Sequence, residues 1–301
     1  MTIQFPESTS APNLSGLTTA TMDLAGLGAE VFDGDSPWGE DFPVEQCNFA
    51  RLASLTAAAL EDGISTVLLG PSFNLRSDTH LREARLDSLH GAIKLSERLR
   101  KPITAAVPGD PYLLRRAIEA VGSAQVTLEI HPVDTELETL VPLLEAAADK
   151  GVAITFALTG VAAEAADNSI LAAYGSAVRL RTTDVERAVA LRNALHRVNA
   201  DIPVVADVYV IISACAMDAE ERATLISMIG VDRYAIGAPR VLGTVHDVAD
   251  HMEAWAQAGA ADEFCLLPGS LPTDLASVVR GVLPLIAARR EVDRLDERLT
   301  A

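Results

Sequence analysis

The 301-residue chain is short of aromatic side chains and of positive charge, and each shortage excludes a class of protein. Phe, Trp and Tyr make up 4% of the residues although 49% are hydrophobic, so the core must consist mainly of Ala, Val, Leu and Ile. That composition is typical of buried parallel strands and the helices that cover them. The 24 basic residues are outnumbered by 42 acidic ones, and the formal charge of −18 repels phosphate backbones and anionic lipids. We therefore expect neither nucleic acid nor a membrane as a partner.

Long apolar segments and a secretion signal are also missing. No apolar run approaches the ~20 residues that span a bilayer, and residues 1–16 lack the basic start and apolar centre of a signal peptide. We expect a cytoplasmic protein with a polar leader over residues 1–16 and one domain over residues 17–301. Three cysteines, Cys47, Cys215 and Cys265, lack the spacing of metal ligands, so we expect buried free thiols.

Several motifs of well-known chemistry are absent from the sequence. It has no Ser-His-Asp order, Cys-x-x-Cys pair, His-Glu-x-x-His motif or Walker loop, which leaves covalent hydrolysis, metal catalysis and NTP hydrolysis without support. The acidic stretch Asp33-Gly34-Asp35 fails as a calcium loop, because Pro37 and Trp38 stand where a ligand and the turn glycine are needed. We predict no metal site.

What the chain does contain is a repeated strand-then-helix pattern. Eight apolar segments have the length of buried strands, and nearly every one is followed by a helical pattern. Because crossovers are right-handed, this order predicts a closed (β/α)8 TIM barrel. An open doubly wound sheet is the alternative, although Ala25-Gly26-Leu27-Gly28 lacks the third glycine and the helix start of a dinucleotide-binding turn. The predicted strands are Leu17–Leu24, Ser65–Leu69, Pro102–Val107, Gln125–His131, Val152–Leu158, Ala177–Arg181, Val204–Ile212 and Glu263–Leu267.

Functional residues of such barrels lie where the strands end. His131 ends the fourth strand, where an imidazole either exchanges a proton with a substrate or forms a structural hydrogen bond. Arg179 and Arg181 share one face of the sixth strand, where they could hold a phosphate or carboxylate or pair with acidic side chains. We select His131 as the catalytic candidate and Arg181 as a ligand of an anionic cofactor.

Three aromatic residues lie in the long segment after the first strand. Phe32, Trp38 and Phe42 could close over an organic substrate, anchor the loop, or contact a partner subunit. We interpret them as substrate-binding residues.

The C-terminal part of the chain carries a resemblance to a known family. A helix starts at Gly243-Thr244-Val245-His246, the segment 258–264 (AGAADEF) turns into the last strand, and Leu271-Pro272 follows. These stretches resemble the Gly-Thr-Pro-Glu, Ala-Gly-Ala-Ala-Asp-Gly-Phe and Leu-Pro segments of bacterial luciferase-like flavin monooxygenases, in the branch that oxidises nitrilotriacetate and dibenzothiophene sulfone.

The resemblance implies a set of expectations about the site. Members of the family use FMN that a separate flavin reductase reduces, oxidise a small organic substrate with oxygen, and form dimers. Carried over to this sequence, Thr159 and Gly160 would approach the FMN phosphate, and His131 would lie near a threonine of the family's fourth strand. The chain departs from the family by lacking a Trp-Asn pair in that strand and a serine in the segment 157–162, and by a reduced insertion between strands four and five.

These departures leave three hypotheses. The first is an FMNH2/O2-dependent monooxygenase or related oxidoreductase, which the resemblance favours. The second is a non-catalytic barrel, either a partner subunit or a protein that binds flavin without catalysing a reaction. The third is an oxidoreductase that uses the deazaflavin F420, which relatives of this fold also bind.

Overall fold

The computed structural model describes residues 20–24, 48–73, 86–132, 136–228 and 234–300. The strands in these ranges are β1 (Ala20–Asp23), β2 (Thr66–Leu69), β3 (Ile103–Pro108), β4 (Val126–His131), β5 (Ile154–Thr159), β6 (Ala177–Arg181), β7 (Val204–Ile212), β8 (Arg240–Gly243) and β9 (Glu263–Pro268). The α-helices are α1 (Phe49–Glu61), α2 (Asp87–Leu99), α3 (Pro111–Val121), α4 (Leu137–Asp149), α5 (Gly160–Ala165), α6 (Asn168–Tyr174), α7 (Val185–Val198), α8 (Ala216–Met228), α9 (Val245–Gln257), α10 (Thr273–Ser277) and α11 (Leu283–Thr300). A π-helical turn, Val278–Val282, joins the last two helices.

Eight of these strands form a closed parallel ring. Each strand from β1 to β6 pairs with the strand that follows it in the chain. The ring is completed by the pairing of β7 with β9 and of β9 with β1. The predicted TIM barrel is therefore confirmed, and the open sheet is excluded because the sheet has no free edge in its ring.

The short strand β8 is the element that the sequence did not predict. Its four residues pair only with the last part of β7, from Tyr209 to Ile212, so it lies beside the ring rather than in it. A four-residue strand carries too little periodicity to be recognised. The sequence signal at this point belongs to the next helix, α9, which begins with a capping box between Thr244 and Asp247.

The two faces of the ring have different compositions. Side chains such as Leu128, Ile130 and Phe156 are buried on the outside, where they pack against the helices. The alternate positions face the inside of the ring and are largely polar. Their level nearest the strand starts consists of threonines, and the next level carries charge. The inward threonines on five consecutive strands are Thr21, Thr66, Thr104, Thr127 and Thr155.

The connection between β4 and β5 is short, as the sequence predicted. Apart from residues 133–135, which lie outside the described ranges, it consists of α4 and the turn that follows it. The predicted leader at residues 1–16 also lies outside the described ranges. Among the described residues, no helix has the length and hydropathy that crossing a membrane requires.

Candidate functional site

Charged side chains from β1, β4, β6 and β7 form a cluster inside the ring, and Arg179 is at its centre. From β6, its guanidinium donates to both carboxylate oxygens of Asp207 on β7, at 2.5 and 3.2 Å, and to Oε1 of Glu129 on β4 at 2.8 Å. The carboxylate of Asp23 on β1 lies 3.6 Å from the same group. All four side chains are almost completely buried, which is tolerable only because the opposite charges are paired and hydrogen-bonded.

Arg181 extends this cluster toward the strand ends. Its Nε donates to Oδ2 of Asp207 at 2.5 Å, and its Nη1 donates to the backbone carbonyl of Tyr234 at 2.7 Å. The Tyr234 hydroxyl in turn donates to the carbonyl of Pro268, and burial raises the pKa of this phenol well above its usual range. The sequence left open whether Arg179 and Arg181 bind an anion or pair with acids, and in this structure both pair with acids.

The position of Asp23 depends on a glycine in the adjacent connection. Its Oδ1 accepts a hydrogen bond from the backbone N–H of Gly70 at 3.2 Å. A Cβ atom at residue 70 would lie 2.5 Å from Oδ2 of the same carboxylate. The close approach of this buried carboxylate to the backbone therefore requires glycine at residue 70.

His131 is attached to the charged cluster through Glu129. The imidazole Nε2 lies 2.8 Å from Oε1 of Glu129, and the ring is 24% exposed. Burial alone would raise the pKa of Glu129, but the charge of Arg179 and the hydrogen bonds from His131 and Arg179 outweigh it and lower the pKa from 4.5 to about 2. Glu129 is therefore ionised. A continuous path of hydrogen bonds joins His131 to Arg181 through Glu129, Arg179 and Asp207.

The inner wall formed by β5 is more open than the buried charged cluster around Arg179. Its inward positions are Thr155, which lies opposite Glu129, Ala157, which lies opposite Arg179, and Thr159, which lies opposite Arg181. The first two are half-buried and Thr159 is exposed. Interiors of TIM barrels are usually filled by bulky branched residues, so small, partly exposed ones leave space beside His131.

Thr159 and Gly160 lie at the upper end of this wall, beside a second guanidinium. A Cβ atom at residue 160 would lie 2.8 Å from Nη1 of Arg187 and 3.3 Å from Oγ1 of Thr182. The Nε of Arg187 forms an ion pair with Glu164 at 2.9 Å, and its side chain is 34% exposed. The absence of a side chain at Gly160 thus leaves a cradle lined by a threonine hydroxyl and a cation. Such a donor set fits a phosphate group.

The structure brings together most of the predicted site, and it adds residues that the sequence reasoning missed. Thr159 and Arg181 are partners in the pairing of β5 with β6, and His131 lies on the neighbouring strand β4. Glu129 and Arg187 were missed. Alternation on β4 places Glu129 on the face of His131, which is a usable signal, whereas Arg187 lies on a helix with many charged residues and carries no signal of its own.

Other sequence predictions have separate outcomes. Phe32, Trp38 and Phe42 lie outside the described residues, as does Cys47. Cys265 is a buried free thiol, as expected, and burial raises its pKa well above the usual range. Cys215 is also free but only partly buried.

Comparison with known proteins depends on structure, since no protein-family model and no curated protein matches the sequence. A riboflavin lyase, RcaE, solved with modified FMN and riboflavin, superposes with a TM-score of 0.65 at 12% identity, covering 91% of this chain and 92% of the lyase. The EDTA monooxygenase EmoA from Chelativorans sp. BNC1 superposes with a TM-score of 0.56 at 14% identity, covering 90% and 93%. The fold is the luciferase-like barrel.

A deazaflavin enzyme shares this luciferase-like fold. The coenzyme F420-dependent tetrahydromethanopterin reductase from Methanopyrus kandleri has a TM-score of 0.54 at 9% identity, covering 79% of this chain and 96% of the reductase. At such identities the likeness concerns the fold. The assignment of chemistry must come from the side chains at the end of the barrel.

Proposed function

We propose that this protein is a flavin-dependent oxidoreductase, and specifically an FMNH2/O2-dependent monooxygenase of a small organic substrate. The luciferase-like fold supports the general class. The observation that carries the proposal is the cradle at Gly160, where Thr182 and Arg187 offer a hydroxyl and a cation next to the open wall of the ring.

Each part of this region has a task in the proposed reaction. Arg187 and Thr182 would hold the phosphate of the cofactor, with Thr159 beside them at the exposed end of β5, because a partly exposed guanidinium and a hydroxyl both donate to phosphate oxygens. When bound, reduced FMN supplies the electrons for the oxidation. The wall of Thr155 and Ala157 would accommodate the cofactor's ring system, and His131 would exchange a proton with the substrate.

Two partners follow from the same proposal. A separate flavin reductase supplies the reduced cofactor by transient contact, and the chain forms a homodimer. Both belong to the way in which luciferase-like monooxygenases work, and we propose them together with the activity.

F420 is the second candidate cofactor, and the likeness to the F420-dependent reductase favours keeping it. Its phosphate would use the same cradle. The reaction would then be a hydride transfer without oxygen. A measurement of oxygen consumption therefore distinguishes the monooxygenase from the F420-dependent oxidoreductase.

Fluorescence titration of the purified protein with FMN, FMNH2 and F420 tests the proposal. We expect Arg187→Ala to weaken FMN binding by about tenfold or more, a loss of roughly 1.4 kcal/mol. Arg181→Ala should have a smaller effect, because Asp207 already pairs with that guanidinium. Riboflavin, which lacks the phosphate, is the matched control and should bind equally to the wild type and to Arg187→Ala.

The titration also distinguishes the remaining hypotheses. If the wild type binds none of the three cofactors saturably, both oxidoreductase hypotheses fail and the non-catalytic barrel is the hypothesis that remains. A tenfold loss of FMN affinity in Arg181→Ala, with no loss in Arg187→Ala, would identify Arg181 as the phosphate-binding residue, as the sequence predicted.

A further inference from the structure

One carboxylate oxygen receives two hydrogen-bond donors deep in the ring. Oε1 of Glu129 lies 2.8 Å from Nη1 of Arg179 and 2.8 Å from Nε2 of His131. The carboxylate is held in place from both sides, because Arg179 is itself fixed by Asp207 and Asp23. Glu129 thus offers the imidazole a rigid, negatively charged acceptor.

The ionised state of Glu129 decides which nitrogen of His131 carries the proton. A carboxylate can only accept, so a neutral His131 must keep its hydrogen on Nε2 and point that N–H at Glu129. The other nitrogen, Nδ1, is then an acceptor, and among the described residues no group donates to it. A quarter of the side chain is exposed, so the imidazole is within reach of a ligand at the ends of the strands.

Small neighbours leave room in front of the imidazole. Pro108 on β3 lies opposite His131, and the register of β5 puts Ala157 at the same level on the other side. Neither side chain can donate a hydrogen bond. Among the described residues these neighbours leave Nδ1 without a donor, so a ligand can supply its partner.

We infer that Glu129 is the positioning residue of a His131–Glu129 pair, which fixes the tautomer of His131 so that Nδ1 accepts a proton from a substrate O–H or N–H group. This inference rests on the proposed function, which supplies the substrate. It limits that substrate to molecules that present an O–H or N–H donor beside the flavin.

The charges of the cluster favour that proton transfer. Asp23, Glu129 and Asp207 are three carboxylates, whereas Arg179 and Arg181 are two guanidinium groups, which leaves one negative charge uncompensated inside the ring. When the substrate X–H bond breaks, its electron pair stays on X and the proton forms an Nδ1–H bond. The resulting imidazolium supplies the missing positive charge, 2.8 Å from Glu129.

Nitrogen NMR of the full chain, labelled with 15N-histidine, tests the tautomer directly. His131→Gln assigns the resonances. We expect neutral His131 in the wild type to be protonated on Nε2 and unprotonated on Nδ1. Glu129→Leu removes the acceptor and should give a mixture of both tautomers. Asp207→Asn is the matched control, because it alters the same cluster without touching His131, and should leave the tautomer unchanged.

A second experiment measures how the negative charge of Glu129 affects the reactivity of His131. It also tests the inference if Glu129→Leu does not fold. Iodoacetamide alkylates the unprotonated nitrogen of an accessible imidazole. An N–C bond forms as iodide leaves, and the positive charge that develops on the ring is lost when the other nitrogen releases its proton. We expect modification of His131 at Nδ1, and a rate about tenfold lower in Glu129→Gln, which keeps the shape but loses the charge. His196, whose Nε2 contacts the carbonyl of Ile202, is an internal reference.

Three results would overturn the inference. They are a wild-type His131 with its proton on Nδ1, a Glu129→Leu variant whose tautomer is unchanged, and equal alkylation rates in the wild type and Glu129→Gln. None of these measurements uses a flavin. A failure here therefore leaves the cofactor titration intact, and a failure to bind flavin leaves the tautomer result standing.

Discussion

The two halves of the barrel interior are built in opposite ways. On the side of β6, β7 and β9, the inward residues Arg179, Asp207, Tyr209 and Cys265 are buried, and all but the cysteine are large or charged. On the side of β4 and β5, the inward residues beyond Glu129 are small or polar and partly exposed. One half is packed with paired charges and the other half has an accessible wall.

This contrast separates stability from function within a single ring. The packed half has its hydrogen-bonding groups committed to one another, so it fixes geometry and offers little to a ligand. The open half has an exposed threonine, an imidazole with an acceptor nitrogen, and a cradle at a glycine. Chemistry requires groups that are held in place but not yet satisfied. Glu129 joins the halves, because it is buried with the first and orients His131 in the second.

The largest expected effect comes from breaking the packed half at its centre. Arg179→Met should lower the free energy of unfolding by about 3–5 kcal/mol, because it removes the buried cation shared by three carboxylates and leaves only Asp207 with a second arginine, Arg181. Urea denaturation followed by circular dichroism measures this loss. Arg187→Met is the matched control in the open half, where an ion pair that is largely solvent-accessible contributes about 1 kcal/mol or less. Equal losses in both variants would contradict the division.

Acid should act on the packed half through Glu129. Its pKa is about 2 in the folded protein against an ordinary 4.5, so its contribution is present above pH 4.5 and is lost as the pH falls toward 2. The loss amounts to roughly 3 kcal/mol when complete. We expect the unfolding free energy of the wild type to fall more steeply between pH 5 and 3 than that of Glu129→Gln, and parallel curves would refute this.

Placing the same side chain beside the buried charges, from β3, and on the open wall of β5 gives the smallest and most local test. Ala106→Leu places a large residue beside buried Glu129, where overpacking should cost about 1–3 kcal/mol. Ala157→Leu is made on the half-buried wall of β5 and should cost less than about 1 kcal/mol. Thermal unfolding of both variants checks the order, and a larger loss for Ala157→Leu would show that the wall is not open.

Local patterns predicted most of the architecture. The apolar runs from Ser65–Leu69 onward match the ring strands closely, because every second residue of each strand packs against the helices and must be apolar. Capping residues such as Thr244 and the left-handed turn at Gly259, where φ is 72°, are also local features that a sequence shows directly. The four residues of β8 have no such pattern, so they were missed.

The site was predicted only in part, for a different reason. His131, Thr159 and Gly160 were found because they end strands or match a family segment, and alternation pairs Arg179 with Arg181 on one face. Whether those arginines bind a ligand or an acid depends on Asp207 and Glu129, which are separated from Arg179 by 28 and 50 positions in the chain. Contacts across a closed ring follow from strand order and register, which no single segment encodes.

By itself, the sequence determined that this protein is an acidic, aliphatic chain of strand-and-helix units, since composition and periodicity are properties of each segment alone. Only the tertiary structure decided that Arg179 is enclosed by three carboxylates, that Arg187 rather than Arg181 is the more accessible cation, and that Glu129 holds His131. Those outcomes depend on which side chains meet inside the ring once its eighth strand pairs with the first. The distances between the charges are set by that closed arrangement and by no single segment.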